Sequence, residues 1–387
     1  MGKGSKQLQG YLNMASAIKP FYLDLSEGEI QDIQRVFGNI LRSGQLILAK
    51  YTEQFEREFA AYIGCQYAVS MNTATSVLEV LCTLKGTRGK KVAVASNTNF
   101  ASVAAIIRAG GQPVFMDMTE EHFVPNLDIL RHTVEKYGVD GVMWVHIGGI
   151  IAPDFFEVVE YCNKNGLFLI EDAAHAHGSK MGGVSAGNFA GGGAFSFFPT
   201  KVMTTMEGGM LTTNSKDEAD LAKSFRNQGK RHAAYGGLHY DLGSSWRISE
   251  IGAYLGLVQL AKLDQMVAVR NRAANLVAGT LKEIGVPYCD TSHMDQASQY
   301  KFIVRLPSHL SIDVVKKQLE ARGVFCGGGV YEVPCHLQPV FADIAYDKED
   351  LAVTENWCPR HICPPITSGT TDEDTSRICE ALKEVLI

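Results

Sequence analysis

The sequence predicts an α/β protein with a large domain built on a mostly parallel mixed sheet and a smaller α+β domain at its C-terminal end. The first observation is that short apolar, β-rich runs alternate with helical stretches from Tyr67 onward. This alternation is typical of a parallel sheet covered by helices on both faces. The second is a long helical pattern between Trp246 and Glu283 that Gly285-Val286-Pro287 interrupts. The third is a shorter set of strand and helix patterns beyond that break.

The chain has 387 residues, a length that accommodates two domains. We place the large domain at residues 25–265 and the small domain at residues 266–387. Residues 1–24 form a separate N-terminal extension in this division.

The large domain is expected to begin with two helices. Ser26 and Glu29 have the spacing of a capping box, and apolar residues at helical spacing follow up to about Gly44. The second helix covers about residues 51–63. The strand candidates that follow are residues 67–70, 91–95, 112–116, 141–146, 167–171, 193–197 and 209–213, with helices between them at 74–84, 101–109 and 155–164.

The small domain is expected to contain two strands, at residues 301–306 and 324–327. Its helices are predicted at residues 312–320 and 371–386, and Thr371 is a suitable N-cap for the last one.

Composition excludes several classes of protein. Hydrophobic residues make up 46% and charged residues 20%, as in soluble globular domains. The net charge of −6 disfavours a nucleic-acid partner, and the densest basic stretch, at residues 228–232, would suffice for one phosphate group. No apolar run reaches the ~18–20 residues that cross a bilayer, and the N-terminus lacks the apolar core of a signal peptide. We expect no membrane partner.

The nine cysteines are an odd number spread over a long chain, which favours reduced thiols in the cytoplasm over a disulfide framework. Cys358, His361 and Cys363 lie close together, so zinc is the alternative to buried thiols there. Their spacing matches no standard zinc motif, and we expect no metal.

Three local features carry the chemistry. An apolar strand runs into Asp172, where an acid can pair with a cationic ring nitrogen or act as a structural cap. About 30 residues later an apolar run ends at Lys201, which is either a surface lysine or a desolvated amine with a lowered pKa, able to form a Schiff base. Paired glycines at 208 and 209 allow close backbone approach.

In this order and spacing, the three features resemble the fold type I pyridoxal phosphate (PLP) enzymes, and among them the DegT/StrS-type sugar aminotransferases. That family carries E-D-A-A-x-A-H-G, F-S-F-x-x-x-K and E-G-G-x-x-x-T-N segments. The corresponding segments are residues 171–178, 195–201 and 207–214. The resemblance runs from about Leu25 to the C-terminus.

The resemblance implies roles for four residues. Lys201 would carry the cofactor as an internal aldimine and then move the proton between cofactor and substrate. Asp172 would keep the pyridinium nitrogen protonated. His175 matches a hydrogen-bond partner of the phenolic oxygen, with a packed histidine as the alternative, and Ser196 matches a phosphate ligand.

Further phosphate donors are implied at a helix start, where the family has an S-G-T-A segment. Here Asn72, Thr73 and Ala74 match it, and Asn72 replaces the usual glycine. Since asparagine tolerates left-handed backbone angles, we expect the loop to persist. Ser245 occupies the position of a family asparagine that reaches the phosphate of the partner subunit. The resemblance therefore implies a homodimer with shared active sites.

The position that stacks on the cofactor ring departs from the family pattern. Direct alignment puts Asn99 where the family has an aromatic residue, and Phe100 one residue later. Either the amide covers the ring or a local shift brings Phe100 over it, and Phe100 as a core residue is a third interpretation.

Two residues are candidates for the substrate side. His336 lies in a segment that matches a family landmark near the substrate, with a structural role as the alternative. Arg247 is a nearby cation that could meet a diphosphate or the donor's carboxylate.

The resemblance implies an aminotransferase cycle. L-glutamate would convert PLP to pyridoxamine phosphate, which would aminate a keto group of a nucleotide-linked deoxy sugar. The alternatives are the same reaction on a cyclitol or sugar phosphate, a PLP-dependent sugar dehydratase, and a non-catalytic regulator. Relatives with dehydratase chemistry replace the lysine with histidine, and a regulator would be free to lose Asp172 or Lys201.

Overall fold

The computed structural model describes residues 17–231 and 237–387. Most of the predicted N-terminal extension, residues 1–16, and His232 of the basic stretch lie outside the described residues.

The helices and strands of the described residues are numbered in chain order. The α-helices are α1 (Glu27–Ser43), α2 (Lys50–Ile63), α3 (Ala74–Leu84), α4 (Phe100–Arg108), α5 (Leu127–Tyr137), α6 (Phe155–Lys164), α7 (Lys216–Arg226), α8 (Glu250–Leu260), α9 (Leu263–Glu283), α10 (Ile312–Ala321), α11 (Ala352–Trp357) and α12 (Asp372–Leu386). The strands are β1 (Tyr67–Met71), β2 (Lys91–Ala95), β3 (Gln112–Met116), β4 (Gly141–Val145), β5 (Phe168–Asp172), β6 (Lys180–Met181), β7 (Val184–Ser185), β8 (Gly192–Ser196), β9 (Gly209–Thr213), β10 (Val304–Arg305) and β11 (His361–Ile362). Short 3-10 helices cover Ile147–Gly149, Cys335–Leu337, Pro339–Phe341, Lys348–Leu351 and Cys358–Arg360.

The large sheet has the strand order β1-β9-β8-β5-β4-β2-β3. The neighbours from β8 to β3 are parallel, whereas β9 runs antiparallel to both β1 and β8. The sheet is therefore mixed and mostly parallel, which confirms the predicted fold class.

The inner strands are apolar on both faces because helices cover both faces. Residues 92–95 of β2 and residues 142–144 of β4 are fully buried. The carboxyl ends of parallel strands meet at one edge of the sheet, where open α/β sheets bind ligands. Asp172 ends β5 and Ser196 ends β8, so the fold brings these two predicted site residues to the same edge.

Two predicted helix starts are confirmed. Ser26 and Glu29 form a reciprocal capping box at α1, because each side chain accepts a hydrogen bond from the other residue's backbone N–H. Thr371 caps α12 in the same way, together with Asp374.

The buried apolar residues form two cores that share α9. Leu263 and Val267 at its start pack in the core of the large sheet, whereas Val277 and Leu281 pack in the smaller C-terminal core. The boundary that we place between residues 265 and 266 falls inside this continuous helix and stays a prediction. Ile18 packs in the smaller core, although it precedes the large domain in sequence.

The second predicted strand of the small domain, at residues 324–327, is wrong. Its ends make only isolated bridges, from Val324 to Ile18 and from Gly327 to Cys363. The apolar residues there meet two unrelated segments instead of one continuous partner strand. The predicted strand at residues 301–306 is reduced to β10, which pairs with the equally short β11.

Among the helices that the sequence patterns did not indicate are α5 and α7. Each begins at a side-chain N-cap, Asn126 for α5 and Ser215 for α7. Both are rich in charged residues, so few apolar residues mark them in the sequence. Within the described ranges, no helix is both long and apolar enough to span a membrane.

The nine cysteines are free thiols. His361 uses both ring nitrogens on the backbone, since Nδ1 donates to the Cys358 carbonyl oxygen (2.8 Å) and Nε2 accepts from the Val330 N–H (2.9 Å). Burial raises the pKa of the Cys358 thiol to about 12. This histidine acts as a structural group between two backbone segments.

Candidate active site

A cavity of about 310 Å³ opens at the carboxyl edge of the large sheet. It brings together seven of the residues that the sequence predicts for the site: Thr73, Ala74, Asn99, Asp172, His175, Ser196 and Lys201. They come from four separate stretches of the chain, and the parallel strands place those stretches side by side.

Lys201 lies in a turn just after β8. Its backbone N–H donates to the Phe198 carbonyl oxygen (3.0 Å), and the buried side chains of Val202 and Met203 anchor the chain beyond it. The ammonium nitrogen lies 4.6 Å from the centre of the Tyr300 ring. Burial lowers the pKa of Lys201, and nearby Tyr300 and Asp172 oppose that effect only in part. The fold therefore favours a neutral amine at the cavity wall.

Asp172 is nearly inaccessible to solvent, with 3% exposure. Its Oδ2 accepts from Ser102 Oγ (2.7 Å), and its Oδ1 accepts from the Ala174 N–H (3.1 Å). Burial raises the pKa of this carboxyl group despite those two hydrogen bonds. Among the described residues no lysine, arginine or histidine lies within ion-pair distance of it, so the carboxylate can take a cationic partner from a ligand.

His175 is held as a neutral imidazole with a defined tautomer. Its Nδ1 accepts from the Gly148 N–H (3.2 Å), so the remaining proton is on Nε2, which lies 3.3 Å from the Tyr331 hydroxyl. Burial, helped by Lys201 and Lys301, holds the pKa of His175 well below its usual value. The Nε2–H group is therefore a hydrogen-bond donor beside the cavity.

The start of α3 and Ser196 form a cradle suited to an anion. Thr73 is the N-cap, whose Oγ1 accepts from the Ser76 N–H (3.1 Å), and Ala74 is the first residue of the helix. Free N–H groups and the helix dipole at this end favour a phosphate. A Cβ on Gly209 would lie 2.5 Å from the Thr73 carbonyl group, so only glycine permits the approach of β9 to this loop.

Asn72 lies beside the cradle and does not line the cavity. Its backbone is not in the left-handed region, so the tolerance of asparagine for left-handed angles is not needed at this position. Its side chain instead accepts from Ser76 Oγ (2.8 Å), and its N–H donates to the Trp246 carbonyl oxygen (2.8 Å). Asn72 thus braces the start of α3.

The structure places Asn99, and not Phe100, at the cavity. Asn99 is the N-cap of α4, with its Oδ1 accepting from the Ala101 N–H (3.0 Å). The Phe100 ring is stacked on Phe341, with ring centres 5.5 Å apart. No local shift brings Phe100 over the cavity, because the cap fixes Asn99 as the last residue before the helix.

Besides Asn72 and Phe100, three further residues predicted for the site do not line this cavity. Ser245 and Arg247 lie in the segment before α8, where Arg247 donates to Asn227 Oδ1 (2.9 Å). The His336 side chain is fully buried, with Nδ1 2.6 Å from Ser96 Oγ and Nε2 3.4 Å from a Glu355 oxygen. This geometry favours the structural alternative for His336 over a contact with substrate.

Sequence reasoning missed two tyrosines beside the cavity, Tyr300 and Tyr331. Tyr300 lies 4.4 Å from His175, ring centre to ring centre, and close to Lys201. Tyr331 begins the landmark segment that contains His336, so that segment reaches the cavity region through Tyr331, whereas His336 does not line the cavity. Tyr300 belongs to none of the motifs.

The cavity residues offer a suitable partner for each polar group of PLP. The cavity offers a desolvated amine at Lys201, an unpaired buried carboxylate at Asp172, a donor at His175 and an anion cradle at Thr73 and Ser196. These groups match the aldehyde, the ring nitrogen, the phenolic oxygen and the phosphate, in that order.

Comparison with known proteins agrees with this chemistry. The family model described as "DegT/DnrJ/EryC1/StrS aminotransferase family" matches residues 27–383. The chain is 31% identical to GDP-perosamine synthase of Caulobacter vibrioides, over 88% of this chain and 91% of that protein. It is also 31% identical to dTDP-3-amino-3,4,6-trideoxy-alpha-D-glucose transaminase of Streptomyces venezuelae, over 89% of each chain.

A similar solved structure is S. venezuelae DesV in complex with a ketimine intermediate. It superposes with a TM-score of 0.88 at 27% sequence identity, and the alignment covers 96% of this chain and 98% of that one. The chain belongs to the DegT/DnrJ/EryC1/StrS aminotransferase family and is a PLP-dependent aminotransferase.

Proposed function

We propose that this aminotransferase aminates a keto group of a nucleotide-linked deoxy sugar, with L-glutamate as the amino donor. The single observation that carries the proposal is the cavity in which Lys201, Asp172 and the anion cradle converge. The similarity to proteins named for GDP-linked and dTDP-linked amino sugars supports this substrate class.

We assign the cavity residues to separate groups of the cofactor. When bound, PLP supplies a carbonyl carbon and an electron-accepting ring. Lys201, whose pKa is lowered by burial, provides the neutral amine and the group that holds and moves a proton at Nζ. Asp172 would keep the ring nitrogen protonated, His175 would donate from Nε2 to a ring oxygen, and Thr73, Ala74 and Ser196 would hold the phosphate. Asn99 would take the place of the aromatic residue beside the ring.

The presence of Lys201 supports transamination over the dehydratase chemistry of relatives that have histidine there. Retention of both Lys201 and Asp172 also supports an enzyme over a non-catalytic regulator. An experiment decides whether the acceptor is a nucleotide-linked sugar or instead a cyclitol or a sugar phosphate.

We expect the purified holoenzyme to show a visible absorption band that glutamate bleaches as the amino group is transferred. A panel of 3-keto and 4-keto sugars linked to GDP or dTDP is then offered to the aminated enzyme, with a keto cyclitol and a keto sugar phosphate beside them. Return of the band with at least one nucleotide-linked sugar supports the proposal. Return of the band only with the cyclitol or the sugar phosphate contradicts it, and bleaching only by another amino acid contradicts the glutamate assignment.

We also propose a homodimer with shared active sites. Ser245 is exposed and lies on a concave surface separate from the cavity, formed by residues that include Gln228 and Asp241. The neighbouring Leu242 side chain is 98% exposed, and Phe198 and Met206 near the cavity mouth are about half exposed at 45% and 50%. These exposed apolar side chains are free to pack against a partner subunit. A partner subunit would cover them and bring its Ser245 to the phosphate.

Mixing two inactive variants tests the shared site. Lys201→Ala lacks the amine, and Ser245→Asp places a negative charge against the partner's phosphate. In a two-fold dimer each heterodimer holds one site with both defects and one intact site. We therefore expect up to about half of the native turnover per heterodimer. Mixtures no more active than the separate variants would contradict the shared site.

We propose that the enzyme works in the cytoplasm. The support is chemical: all nine cysteines are free thiols, as in reducing compartments. Intact activity after purification under reducing conditions is expected, and activity that requires oxidation would contradict the assignment.

A further inference from the structure

Tyr300 lies against two lysines at the edge of the cavity. The Nζ of Lys201 is 4.6 Å from the centre of its ring, and the Nζ of Lys301 is 5.4 Å from the same point. The hydroxyl group lies 3.2 Å from Oγ1 of Thr200 and close to the Lys201 side chain. An ammonium group within about 6 Å of a ring is attracted to its face. Tyr300 therefore contacts Lys201 through its ring, and its hydroxyl lies beside the same side chain.

The backbone fixes Tyr300 in this position. Gln299, directly before it, has a φ of 47°, in the left-handed region that non-glycine residues rarely adopt. Its carbonyl oxygen accepts from the buried Arg270 guanidinium (3.1 Å), and its side chain donates to Thr291 Oγ1 (3.0 Å). The Tyr300 N–H donates to Ser298 Oγ (3.3 Å). Strained residues held by several contacts cluster at functional sites.

We propose that Tyr300 is a positioning residue for Lys201, which fixes Nζ at the cavity wall and shares its proton, and that Lys301 tunes this pair through its charge. This inference rests on the proposed role of Lys201. It adds two residues that lie outside every motif of the chain.

The charges around the pair act in opposite directions. Burial is the largest influence on the pKa of Lys201 and lowers it, Tyr300 and Asp172 raise it, and Lys301 lowers it further. Burial is the largest influence on the pKa of Tyr300 and raises it, but Lys201, Lys301, Thr200 and Arg270 together lower this pKa below its usual value. Removing the Tyr300 hydroxyl should therefore lower the pKa of Lys201, whereas removing the Lys301 charge should raise it.

Other titratable groups face this pair and stay in place in both variants. His175 and His177 are neutral, because burial lowers the pKa of each. Arg270 faces Tyr300 and stays charged, although burial lowers its pKa to about 10. Glu207 lines the cavity and is exposed. Peptide mapping reads the acylation of Lys201 separately from these groups, so the Lys201 profile can be assigned.

The test measures Lys201 in the full-length protein after the cofactor is removed. An amine-specific acylating reagent is applied across neutral and alkaline pH, and peptide mass spectrometry gives the rate at Lys201 alone. At neutral pH, Tyr300→Phe should react several-fold faster than the native protein, because more of the amine is neutral. Lys301→Met should react several-fold slower. Thermal unfolding shows that each variant is folded, and Lys180 serves as the internal control within every sample.

Shifts of opposite sign support the proposal, since a merely structural role would not produce them. An unchanged profile in Tyr300→Phe, or shifts of the same sign in both variants, would overturn it. If Tyr300→Phe does not fold, Lys301→Met decides alone, and a profile that does not move to higher pH overturns the proposal. The proposed function has its own readout, the visible band of the native holoenzyme, so the two can fail separately.

Discussion

Replacement of Lys201 with alanine is expected to abolish the visible cofactor band and to lower turnover by at least about 10³-fold. The variant lacks the amine that we propose to carry the cofactor, and Lys201 is the only lysine among the cavity-lining residues. We expect this loss to come from the missing amine and not from unfolding, because the neighbouring side chains of Val202 and Met203 keep their packing. Absorption spectra and single-turnover rates with glutamate measure the two effects.

A matched lysine gives the control. Lys216 lies on the surface of α7, where it pairs with Asp220 of the same helix. Lys216→Ala should keep both the band and the turnover. If Lys201→Ala also keeps both, the assignment of Lys201 fails.

Replacement of Asp172 with asparagine is expected to lower turnover on the order of 10³-fold and to weaken cofactor binding. Asparagine keeps the size of the side chain but removes the negative charge that we propose to hold the ring nitrogen in its protonated form. Turnover at saturating cofactor separates the electronic effect from the binding effect, and equilibrium titration with PLP measures the second. Asp220→Asn on α7 is the matched control. Unchanged turnover in Asp172→Asn at full occupancy would refute the ring-nitrogen role.

The same substitution should change how the stability of the cofactor-free protein depends on pH. Burial raises the pKa of Asp172 in the folded protein above its value in the unfolded chain. A raised acid pKa gives stability at low pH that is lost as pH rises from the unfolded to the folded pKa. Asp172→Asn has no carboxyl group at this position and should not lose stability in this way. The Tm of the variant minus the Tm of the native apoprotein should therefore increase with pH across that range. An advantage that shrinks with rising pH would contradict the unpaired buried carboxylate.

The parts of the fold that could be predicted are those in which local pattern and tertiary structure agree. The strands β2, β4 and β5 are short apolar runs, and burial on both faces is what such runs predict. Asp172 and Ser196 could be placed at one edge because each ends a strand of the same parallel sheet. Lys201 could be placed beside them because its motif follows β8 directly.

The parts that could not be predicted depend on contacts between distant segments. Tyr300 reaches Lys201 across about one hundred positions of the chain, through a strained residue at 299 that has no sequence signature. His336 has the right neighbours in sequence, but its ring turns to Ser96 and Glu355 and away from the cavity. The role predicted for Ser245 needs a second subunit, so contacts within one chain do not reveal it.

The most direct measurement is to reduce the holoenzyme with borohydride and to map the peptide that carries the cofactor mass. Reduction makes the link between the cofactor and its lysine permanent, so the modified residue can be read from the fragment spectrum. Our account predicts modification at Lys201, in the peptide that follows β8. Modification at Lys301, the second lysine beside Tyr300, or at any other lysine would contradict it.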